Sequence, residues 1–377
     1  MASNTAKKFR VLVVDDSAFM RKVLESIFNH DEQLQVVGHA KDGREAIALS
    51  ESLKPDVITM DLNMPHMDGL QATAHIMTNS PRPIVIVSSE SKEGAASTLK
   101  ALELGAIEFV TKPSGGIDLD MQSVKDELLR KVRMAAKVRV VRTAVRLANT
   151  IQAPSTGRPT QSRAPATPKA APAGGGDNLR FPVVVLAAST GGPSTVMRMA
   201  PGFTRDFPGA VILVQHMPAA FTTQYAVQLA DFTGIRVKEA EENESIQAGT
   251  LYICPGGQHL RVSPTGRVQL DAVTGRIDGY LPNIDVAMES VAQYAGAMSI
   301  GVVLTGMGSD GARGAGAIKS ASGLVLAQDE ATSVIFGMPA EAIKAGVVDQ
   351  VLGIDEIYSA IEKRVLGLRR ALPVGVQ

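Results

Sequence analysis

Short apolar runs alternate with segments of helical periodicity in the first third of the chain. Strands are predicted at residues 9–14, 34–37, 57–60, 84–87 and 107–110. Apolar residues at helical spacing predict helices at residues 19–27, 44–53 and 95–104. Strands that alternate with helices in this way indicate an α/β domain with a parallel, doubly wound sheet.

The same alternation returns in the second half of the chain. Strands are predicted at residues 183–186, 210–214, 251–253, 300–304 and 324–327. Helices are predicted at residues 284–294, 312–321 and, as an amphipathic closing helix, 354–370. We therefore predict two doubly wound, parallel-sheet α/β domains, which fits a chain of 377 residues.

Between the two halves, helix-like sequence continues to about residue 147, and residues 151–178 then consist mainly of Ala, Pro, Gly, Ser and Thr. Such a composition predicts a flexible linker. Residues 131–180 carry ten Lys or Arg and the single acid Asp177, which favours a solvated tether over a docking site for an acidic partner. The predicted parts are residues 1–135, a helical extension and linker at 136–180, and 181–377.

Charge and composition exclude several classes of protein. Lys plus Arg equal Asp plus Glu at 38 each, which argues against a surface built for nucleic acid. The single cysteine, Cys254, excludes an intramolecular disulfide framework. No signal-peptide core and no apolar run of membrane-spanning length is present. We expect a soluble, cytoplasmic protein without membrane insertion and without a nucleic-acid partner.

Polar residues follow the predicted strands of the first half, at the edge where sites form in parallel sheets. They are Asp15, Asp16, Asp61, Ser88 and Lys112. Carboxylates beside a lysine suit Mg²⁺, which prefers oxygen ligands, and also suit phosphoryl transfer. The alternative is that the aspartates only cap helices, which is credible for Asp16 alone but not for five converging residues.

The strand at residues 183–186 runs into Ser189-Thr-Gly-Gly-Pro, where a serine is either a nucleophile or a phosphate-binding donor at a helix N-terminus. A serine nucleophile needs a base, and only two of the six histidines, His216 and His259, lie in this half. His216 directly follows a predicted strand and is favoured as the base. His259 follows a Pro-Gly-Gly-Gln turn and is predicted to lie at the surface, with a contact on the substrate side as the alternative.

A third polar residue follows another strand of this half. Asp310 lies in a glycine-rich turn, and its carboxylate could orient the histidine. Glycines there allow backbone amides to point into a site as oxyanion donors, although such a turn is by itself a weak signal. The chain order Ser, His, Asp differs from that of α/β-hydrolases.

Residues 9–130 resemble the receiver domain of response regulators, a flavodoxin-like fold. The motifs that match are Asp15-Asp16, the run from Asp61 to Gly69 (DLNMPHMDG) and Thr111-Lys112-Pro113. The resemblance implies that Asp61 is the phospho-acceptor for a histidine kinase.

The same resemblance implies roles for the remaining residues of the pocket. Asp15, Asp16, Asp61 and the backbone carbonyl of Asn63 would hold Mg²⁺. Lys112 would pair with the phosphate, Ser88 would be the switch hydroxyl, and Phe109 stands at the place of the family's rotating aromatic residue.

Residues 181–372 resemble the catalytic domain of the chemotaxis protein-glutamate methylesterases, the CheB family, for which we expect a Rossmann-like fold. The matching stretches are ASTGG at 188–192, QHMP at 215–218 and TGMGSDG at 305–311. The resemblance implies that Ser189 is the nucleophile, His216 the base and Asp310 its orienting residue. Thr190 and the amide of Met307 would lie around the oxyanion.

The substrates that this resemblance implies are γ-glutamyl methyl esters on methyl-accepting chemoreceptors, hydrolysed to glutamate and methanol. Members of the family often also deamidate glutamines on these receptors. No cofactor is expected in this domain. The chain departs from the family pattern at Ala187, where glycine is usual, and at Leu281, where many members carry an arginine. A small change in the turn is expected at Ala187, and no substrate contact is carried over to Leu281.

Two other classes of function remain open from the residues alone. The second domain could be a nucleotide-binding module, although no dinucleotide or Walker motif follows its first strand. It could also be a regulatory output that binds protein or DNA without turnover, although no compact basic helix-turn-helix pattern is present.

Overall fold

Two parallel sheets, each covered by helices on both faces, make up the described part of the chain. The structure is a computed structural model that describes residues 8–88, 91–112, 118–138 and 181–371. Of the predicted extension and linker at 136–180, residues 139–180 lie outside the described residues. The predicted fold class of two doubly wound α/β units is confirmed.

The first sheet has five strands, all parallel. They are β1 (Phe9–Val14), β2 (Leu34–Ala40), β3 (Val57–Met60), β4 (Ile84–Ser88) and β5 (Glu108–Thr111). Their spatial order is β2-β1-β3-β4-β5. The order reverses between β1 and β3, so the loops that follow these two strands open a crevice at the carboxyl edge.

Alternation along β1 explains why both faces of this sheet are covered. Val11 and Val13 belong to one buried apolar cluster, and Leu12 and Val14 belong to another on the opposite face. The helices on the two faces are α1 (Ala18–Asn29), α2 (Gly43–Leu53), α3 (Gly69–Asn79), α4 (Lys92–Glu103) and α5 (Asp118–Ala135).

The second sheet has seven strands, again all parallel. They are β6 (Val183–Ala188), β7 (Ala210–Gln215), β8 (Arg236–Glu239), β9 (Thr250–Ile253), β12 (Ser299–Val303), β13 (Leu324–Gln328) and β14 (Gln350–Leu352). Their order is β14-β13-β12-β6-β7-β9-β8. The three central strands β12, β6 and β7 therefore bring their carboxyl ends side by side.

A two-stranded antiparallel hairpin stands apart from this sheet. It consists of β10 (His259–Val262) and β11 (Val268–Asp271). The helices are α6 (Gly192–Met199), α7 (Ala219–Ala230), α8 (Ile284–Ala295), α9 (Ala312–Ser320), α10 (Met338–Lys344) and α11 (Ile354–Ala371), with short 3-10 helices at Ala200–Gly202 and Gly296–Met298.

The edge strands β8 and β14 and the hairpin are the strands that the hydrophobic pattern did not predict. Strands β8 and β14 are three or four residues long and partly exposed, so they lack the apolar run that marks the central strands. The hairpin pairs His259 with Asp271 and Arg261 with Gln269, whose polar side chains do not mark a strand.

The two units contact each other through α4, β5 and α5 of the first and α6 and α7 of the second. Phe109 of β5 and Phe221 of α7 are both buried, and their ring centroids are 4.4 Å apart. Gln228 of α7 donates a hydrogen bond of 3.0 Å to Glu103 of α4. A groove of about 450 Å³ lies between α4 and α7. Among the described helices, none combines the length and apolarity that a membrane crossing requires.

Candidate active site

Three carboxylates meet at the switch point of the first sheet. Asp15 and Asp16 follow β1, Asp61 follows β3, and one oxygen from each lies within 4.8 Å of the others. Asp15 and Asp61 are buried, whereas Asp16 is exposed. Lys112 extends from the end of β5 and places Nζ 3.0 Å from Asp15 Oδ2 and 2.8 Å from Asp61 Oδ2. The predicted convergence of these four side chains is therefore observed.

The electrostatics of this pocket match a site for a hard cation. Burial raises the pKa of Asp61, against the lowering effect of Lys112. Burial also disfavours the charged form of Lys112, but its pairs with Asp61 and Asp15 outweigh this effect and raise its pKa. Asp15 Oδ2 is buried and accepts no hydrogen bond of good geometry, although it lies close to Lys112. A set of oxygen ligands with one such oxygen fits Mg²⁺.

The other three predicted residues of this pocket lie at its border. Asn63 is exposed, and its N–H is 3.5 Å from Asp61 Oδ1. Ser88 ends β4, and its Oγ is 3.4 Å from the carbonyl oxygen of Gly94. Phe109 does not point to solvent, because it is packed against Phe221 of the other unit.

The turn after β6 presents Ser189 at the carboxyl edge of the second sheet. Ser189 N–H donates to the carbonyl of Thr305 beyond the adjacent strand β12, at 3.0 Å. Gly191 has φ +73° and precedes α6, so the chain turns sharply into the helix. Ala187 lies inside β6 in extended backbone and is not among the residues of positive φ, which agrees with the small change expected there.

His216 follows the neighbouring strand β7 and bridges the two other predicted residues. Its Nδ1 is 3.2 Å from Ser189 Oγ, and its Nε2 is 2.8 Å from Asp310 Oδ2. Since Nε2 donates to the carboxylate, Nδ1 is left as the acceptor for the serine hydroxyl. Side chains from three separate turns, between positions 189 and 310, thus form one hydrogen-bonded chain.

Both carboxylate oxygens of Asp310 accept hydrogen bonds. Asp310 is buried, and its Oδ2 accepts the N–H of Ile284 at 2.8 Å while its Oδ1 accepts the N–H of Asp285 at 3.0 Å. These amides open α8, whose N-terminus favours negative charge. Asp285 in turn accepts the N–H groups of Gly311 and Gly314 at the start of α9. Burial raises the pKa of Asp285, and Asp310 raises it further.

Of the two residues predicted around an oxyanion, Thr190 follows Ser189 in the same turn and Met307 lies in the turn after β12 that packs against it. Thr190 is buried, and its carbonyl accepts the hydroxyl of Thr305 at 3.0 Å. A Cβ at Gly306 would come within 2.7 Å of Ser189 Cβ, so Met307 directly follows a residue packed on the serine. Met307 itself is 39% exposed at the rim of the site.

The prediction that His259 lies at the surface is wrong. His259 is completely buried in β10, where Nδ1 accepts the N–H of Asn283 at 3.1 Å and Nε2 donates to the carbonyl of Gly275 at 2.7 Å. The turn before it suggested a mobile loop, but the pairing of β10 with β11 and the packing of α8 enclose the imidazole.

Two further residues of the site escaped prediction. The ring of Tyr280 stacks on His216, with centroids 4.7 Å apart and an interplanar angle of 14°. Gln215 Nε2 donates to the carbonyls of Ser189 at 2.8 Å and His216 at 3.3 Å, and so ties the two turns together. Adjacency to His216 was a signal for Gln215, whereas nothing in the pattern around Tyr280 indicated a contact with the histidine.

Helix α5 of the first unit reaches the rim of this site. Arg130 donates from Nη1 to the sulfur of Met307 at 3.6 Å. Val334 packs against the apolar cluster of the first unit, and its side chain fills the space beside Gly191. The first unit therefore contacts Met307 and Val334, two residues of the second unit that lie near the turn of Ser189.

Comparison with known proteins places both halves in described families. Residues 184–361 match the CheB methylesterase family, and residues 11–122 match the response regulator receiver domain. A protein-glutamate methylesterase/protein-glutamine glutaminase of Pyrococcus abyssi is 41% identical over 367 residues, which are 97% of this chain and 96% of the relative. The protein of the same description from Symbiobacterium thermophilum is 40% identical over 367 residues, 97% of this chain and 99% of its own.

Among solved structures, the CheB methylesterase catalytic domain of Thermotoga maritima is 36% identical, with a TM-score of 0.47, and covers 48% of this chain and 98% of its own. A receiver pocket and a serine–histidine–aspartate arrangement on one chain define a response regulator with an enzymatic output domain. The chain belongs to the CheB methylesterase family, which the identity and coverage of its relatives establish.

Proposed function

We propose that this protein is a phosphorylation-regulated esterase that hydrolyses γ-glutamyl methyl esters on chemoreceptors. The observation that carries the proposal is the placement of His216 between Ser189 Oγ at 3.2 Å and Asp310 Oδ2 at 2.8 Å. The names of the relatives supply the substrate class.

Ser189 performs the first step. His216 Nδ1 takes the hydroxyl proton as Oγ bonds to the ester carbonyl carbon, which leaves a tetrahedral intermediate with a negative oxygen. The amides at Thr190 and Met307 flank Ser189 and are the candidate donors to that oxygen. Asp310 holds the ring and stabilises the imidazolium, and His216 then gives the proton to the departing methoxide, so that methanol leaves and an acyl-serine remains.

Water completes the cycle. His216 takes a proton from the water as its oxygen bonds to the acyl carbon, and the second tetrahedral intermediate collapses with return of the proton to Ser189 Oγ. The products are the glutamate side chain and the free enzyme. A glutamine side chain would follow the same steps with ammonia as the leaving group, which accords with the second activity in the relatives' names.

The receiver pocket is the proposed control site. Asp61 would accept a phosphoryl group from a histidine kinase, with Asp15, Asp16, Asp61 and the Asn63 carbonyl holding Mg²⁺. The ion would supply charge neutralisation for the phosphoryl oxygens. Lys112 lies between Asp15 and Asp61 and would pair with the phosphate.

The contacts between the two units support a route for the control. Ser88 ends β4, Phe109 lies in the adjacent β5, and Phe109 packs on Phe221, the third residue of α7. A phosphoryl group on Asp61 that draws in Ser88 would free space for Phe109 to turn inward. Loss of the Phe109–Phe221 contact would weaken the docking that holds Arg130 on Met307, and the population with an open Ser189 would rise.

The chemistry is tested by release of labelled methanol from methylated receptor membranes. Ser189→Ala is expected to abolish methanol release. Ser194→Ala, which alters a serine in the first turn of the helix that follows Ser189, is expected to retain it. Methanol release by Ser189→Ala at the wild-type rate would exclude the serine as nucleophile.

The control is tested in the same assay with a small-molecule phosphodonor and Mg²⁺. The donor is expected to raise wild-type activity and to leave Asp61→Asn at its basal rate. Asp68→Asn, which lies in the same loop and caps α3, serves as the control that should still respond. Equal stimulation of Asp61→Asn would contradict the assignment of the acceptor.

A further inference from the structure

His259 is a buried histidine outside the arrangement of Ser189, His216 and Asp310, and the proposed chemistry does not use it. Its side chain is completely enclosed. Nδ1 accepts the N–H of Asn283 at 3.1 Å, and Nε2 is 2.7 Å from the carbonyl oxygen of Gly275. A carbonyl can only accept, so Nε2 carries the proton and Nδ1 does not. The ring is therefore a neutral imidazole with both nitrogens occupied.

Both partners of His259 belong to one segment, which leads from the β10–β11 hairpin to α8. Within it, Ile277 and Tyr280 exchange two backbone hydrogen bonds of 3.0 and 2.9 Å and close a turn. Asn283 Nδ2 donates to the carbonyl of Ile277 at 3.0 Å, which fastens that turn to the start of α8. His259 thus holds the segment at its beginning, Gly275, and at its end, Asn283.

This segment touches His216 directly. Tyr280 lies nearly parallel to the imidazole, with the ring centroids 4.7 Å apart. The Tyr280 hydroxyl fills the space where a side chain at position 308 would lie, and Gly308 has φ +96°, so glycine there permits the close approach. The turn therefore covers one face of the catalytic base.

The segment also leads into the amides that hold Asp310. Asn283 caps α8, with its side chain accepting the N–H of Val286. The next two amides, of Ile284 and Asp285, bond to the carboxylate of Asp310 at 2.8 and 3.0 Å. A shift of Asn283 would move these amides and the carboxylate that orients His216.

We propose that His259 is a positioning residue for the catalytic base. It acts through the segment from Gly275 to Asn283. Through Tyr280 this segment fixes the ring plane of His216, and through the first amides of α8 it fixes Asp310, the partner of His216 Nε2. The inference rests on the proposed esterase chemistry and adds a residue to it. Small displacements in such arrangements affect the chemical step more than substrate binding, because the reacting groups must be aligned in the transition state.

Three substitutions separate the two hydrogen bonds of His259. His259→Leu removes both, His259→Asn retains an acceptor near Nδ1 for Asn283, and His259→Gln retains a donor near Nε2 for Gly275. We expect His259→Leu to lower kcat by about 100-fold with KM changed less than about threefold. His259→Asn should recover most of kcat, since the bond beside the α8 amides is kept, whereas His259→Gln should resemble His259→Leu.

A double-mutant cycle with Tyr280 tests the route. Tyr280→Ala alone should lower kcat, and in the His259→Leu background its added effect should be much smaller, because the ring has already lost its position. Full multiplication of the two losses would overturn the route through the segment. Wild-type kcat in His259→Leu would overturn the inference altogether, and so would equal kcat in His259→Asn and His259→Leu.

Folding and the proposed chemistry are checked in the same series. Each variant is compared with wild type by thermal unfolding and by titration of Ser189 with a fluorophosphonate, so that kcat refers to sites able to react. A lower Tm with unchanged kcat per site would assign His259 to stability only and overturn the inference. If wild-type protein and Ser189→Ala show the same methanol release, the proposed chemistry fails, which is distinct from a null result in the His259 variants.

Discussion

The buried carboxylates of Asp15 and Asp310 lie in equivalent places, since each follows a central strand of a parallel sheet, but their surroundings differ. Asp15 Oδ2 accepts no hydrogen bond of good geometry and faces Lys112. Both oxygens of Asp310 accept backbone N–H groups, and Oδ2 also accepts His216. A carboxylate oxygen that is paired with a lysine ammonium group can still bind a cation, whereas a carboxylate held by three N–H groups can only orient its neighbour. We therefore propose that the same strand-end position serves phosphoryl transfer in one unit and positioning of a base in the other.

The largest effect is expected for substitution of Asp310, the carboxylate whose two oxygens both accept N–H groups. Asp310→Asn puts an NH₂ group among three donors and removes the charge that selects the Nε2–H tautomer of His216. We expect kcat for methanol release to fall by about 10⁴-fold, with Ser189 still in place. Asp355→Asn, an exposed aspartate in the first turn of α11, is the matched control. A loss below about tenfold would show that Asp310 does not orient the base.

Asp15, the carboxylate that faces Lys112, should instead govern metal binding. Loss of a residue that supports a metal ligand costs about 10- to 100-fold in affinity, so Asp15→Asn, which removes a ligand's charge, should weaken Mg²⁺ binding by at least about 100-fold. Calorimetric titration of the full-length protein measures this, with Asp68→Asn as the control. Unchanged affinity would place the ion away from Asp15.

A moderate effect is expected at the contact between the two units. Arg130→Ala removes the hydrogen bond to Met307 and should raise basal methanol release about fivefold, because an exposed polar contact is worth at most about 1 kcal/mol. Arg133→Ala, on the same helix but paired with Asp31 of its own unit, should leave basal activity unchanged. An equal rise in both variants would point to general loosening of α5 and not to the contact at the rim.

The smallest effect concerns two helix-capping aspartates whose pKa values move in opposite directions. Hydrogen bonds from Glu45 N–H and Arg44 N–H lower the pKa of Asp42, so its ionised form stabilises the fold above the unfolded-state pKa, and this contribution is lost as pH falls through the folded-state pKa. Burial raises the pKa of Asp285, so its ionised form is penalised in the folded state, and the penalty is relieved as pH falls.

Hydrogen exchange of α2 and α9 measures this difference. Between pH 7 and about pH 3, which lies below the ordinary pKa of an aspartate, protection of α2 in wild type should decline relative to Asp42→Asn, while protection of α9 should increase relative to Asp285→Asn. Parallel changes in both helices would contradict the opposite signs.

Much of the architecture could be predicted because the central strands are fully buried. Strands such as β1, β6 and β7 are continuous apolar runs, and burial on both faces of a parallel sheet requires that composition. Edge strands such as β8 and β14 are half exposed and carry no such pattern. The hairpin of β10 and β11 was missed because polar residues such as His259 and Asp271 interrupt its apolar pattern.

The candidate site divides along a similar line. Ser189, His216 and Asp15 directly follow strands, so their positions along the sequence already indicated a common edge. Tyr280 and His259 follow no strand of the main sheet, and only the path of the hairpin and the entry to α8 bring them to the site. Their side chains act through contacts with distant segments, and such contacts leave no local pattern.

The amino-acid sequence alone indicates which groups lie at the two sheet edges, because the carboxyl ends of all strands in a parallel sheet lie on one side. Tertiary structure alone decided how those groups are used. The packing of α8 against the turn of Asp310 gives both oxygens of that carboxylate N–H partners, and the reach of Lys112 places an ammonium group 3.0 Å from Asp15 Oδ2. The packing around β10 encloses His259, which was predicted at the surface. Hydrogen bonding and burial depend on which segments meet, and that is settled only when the chain has folded.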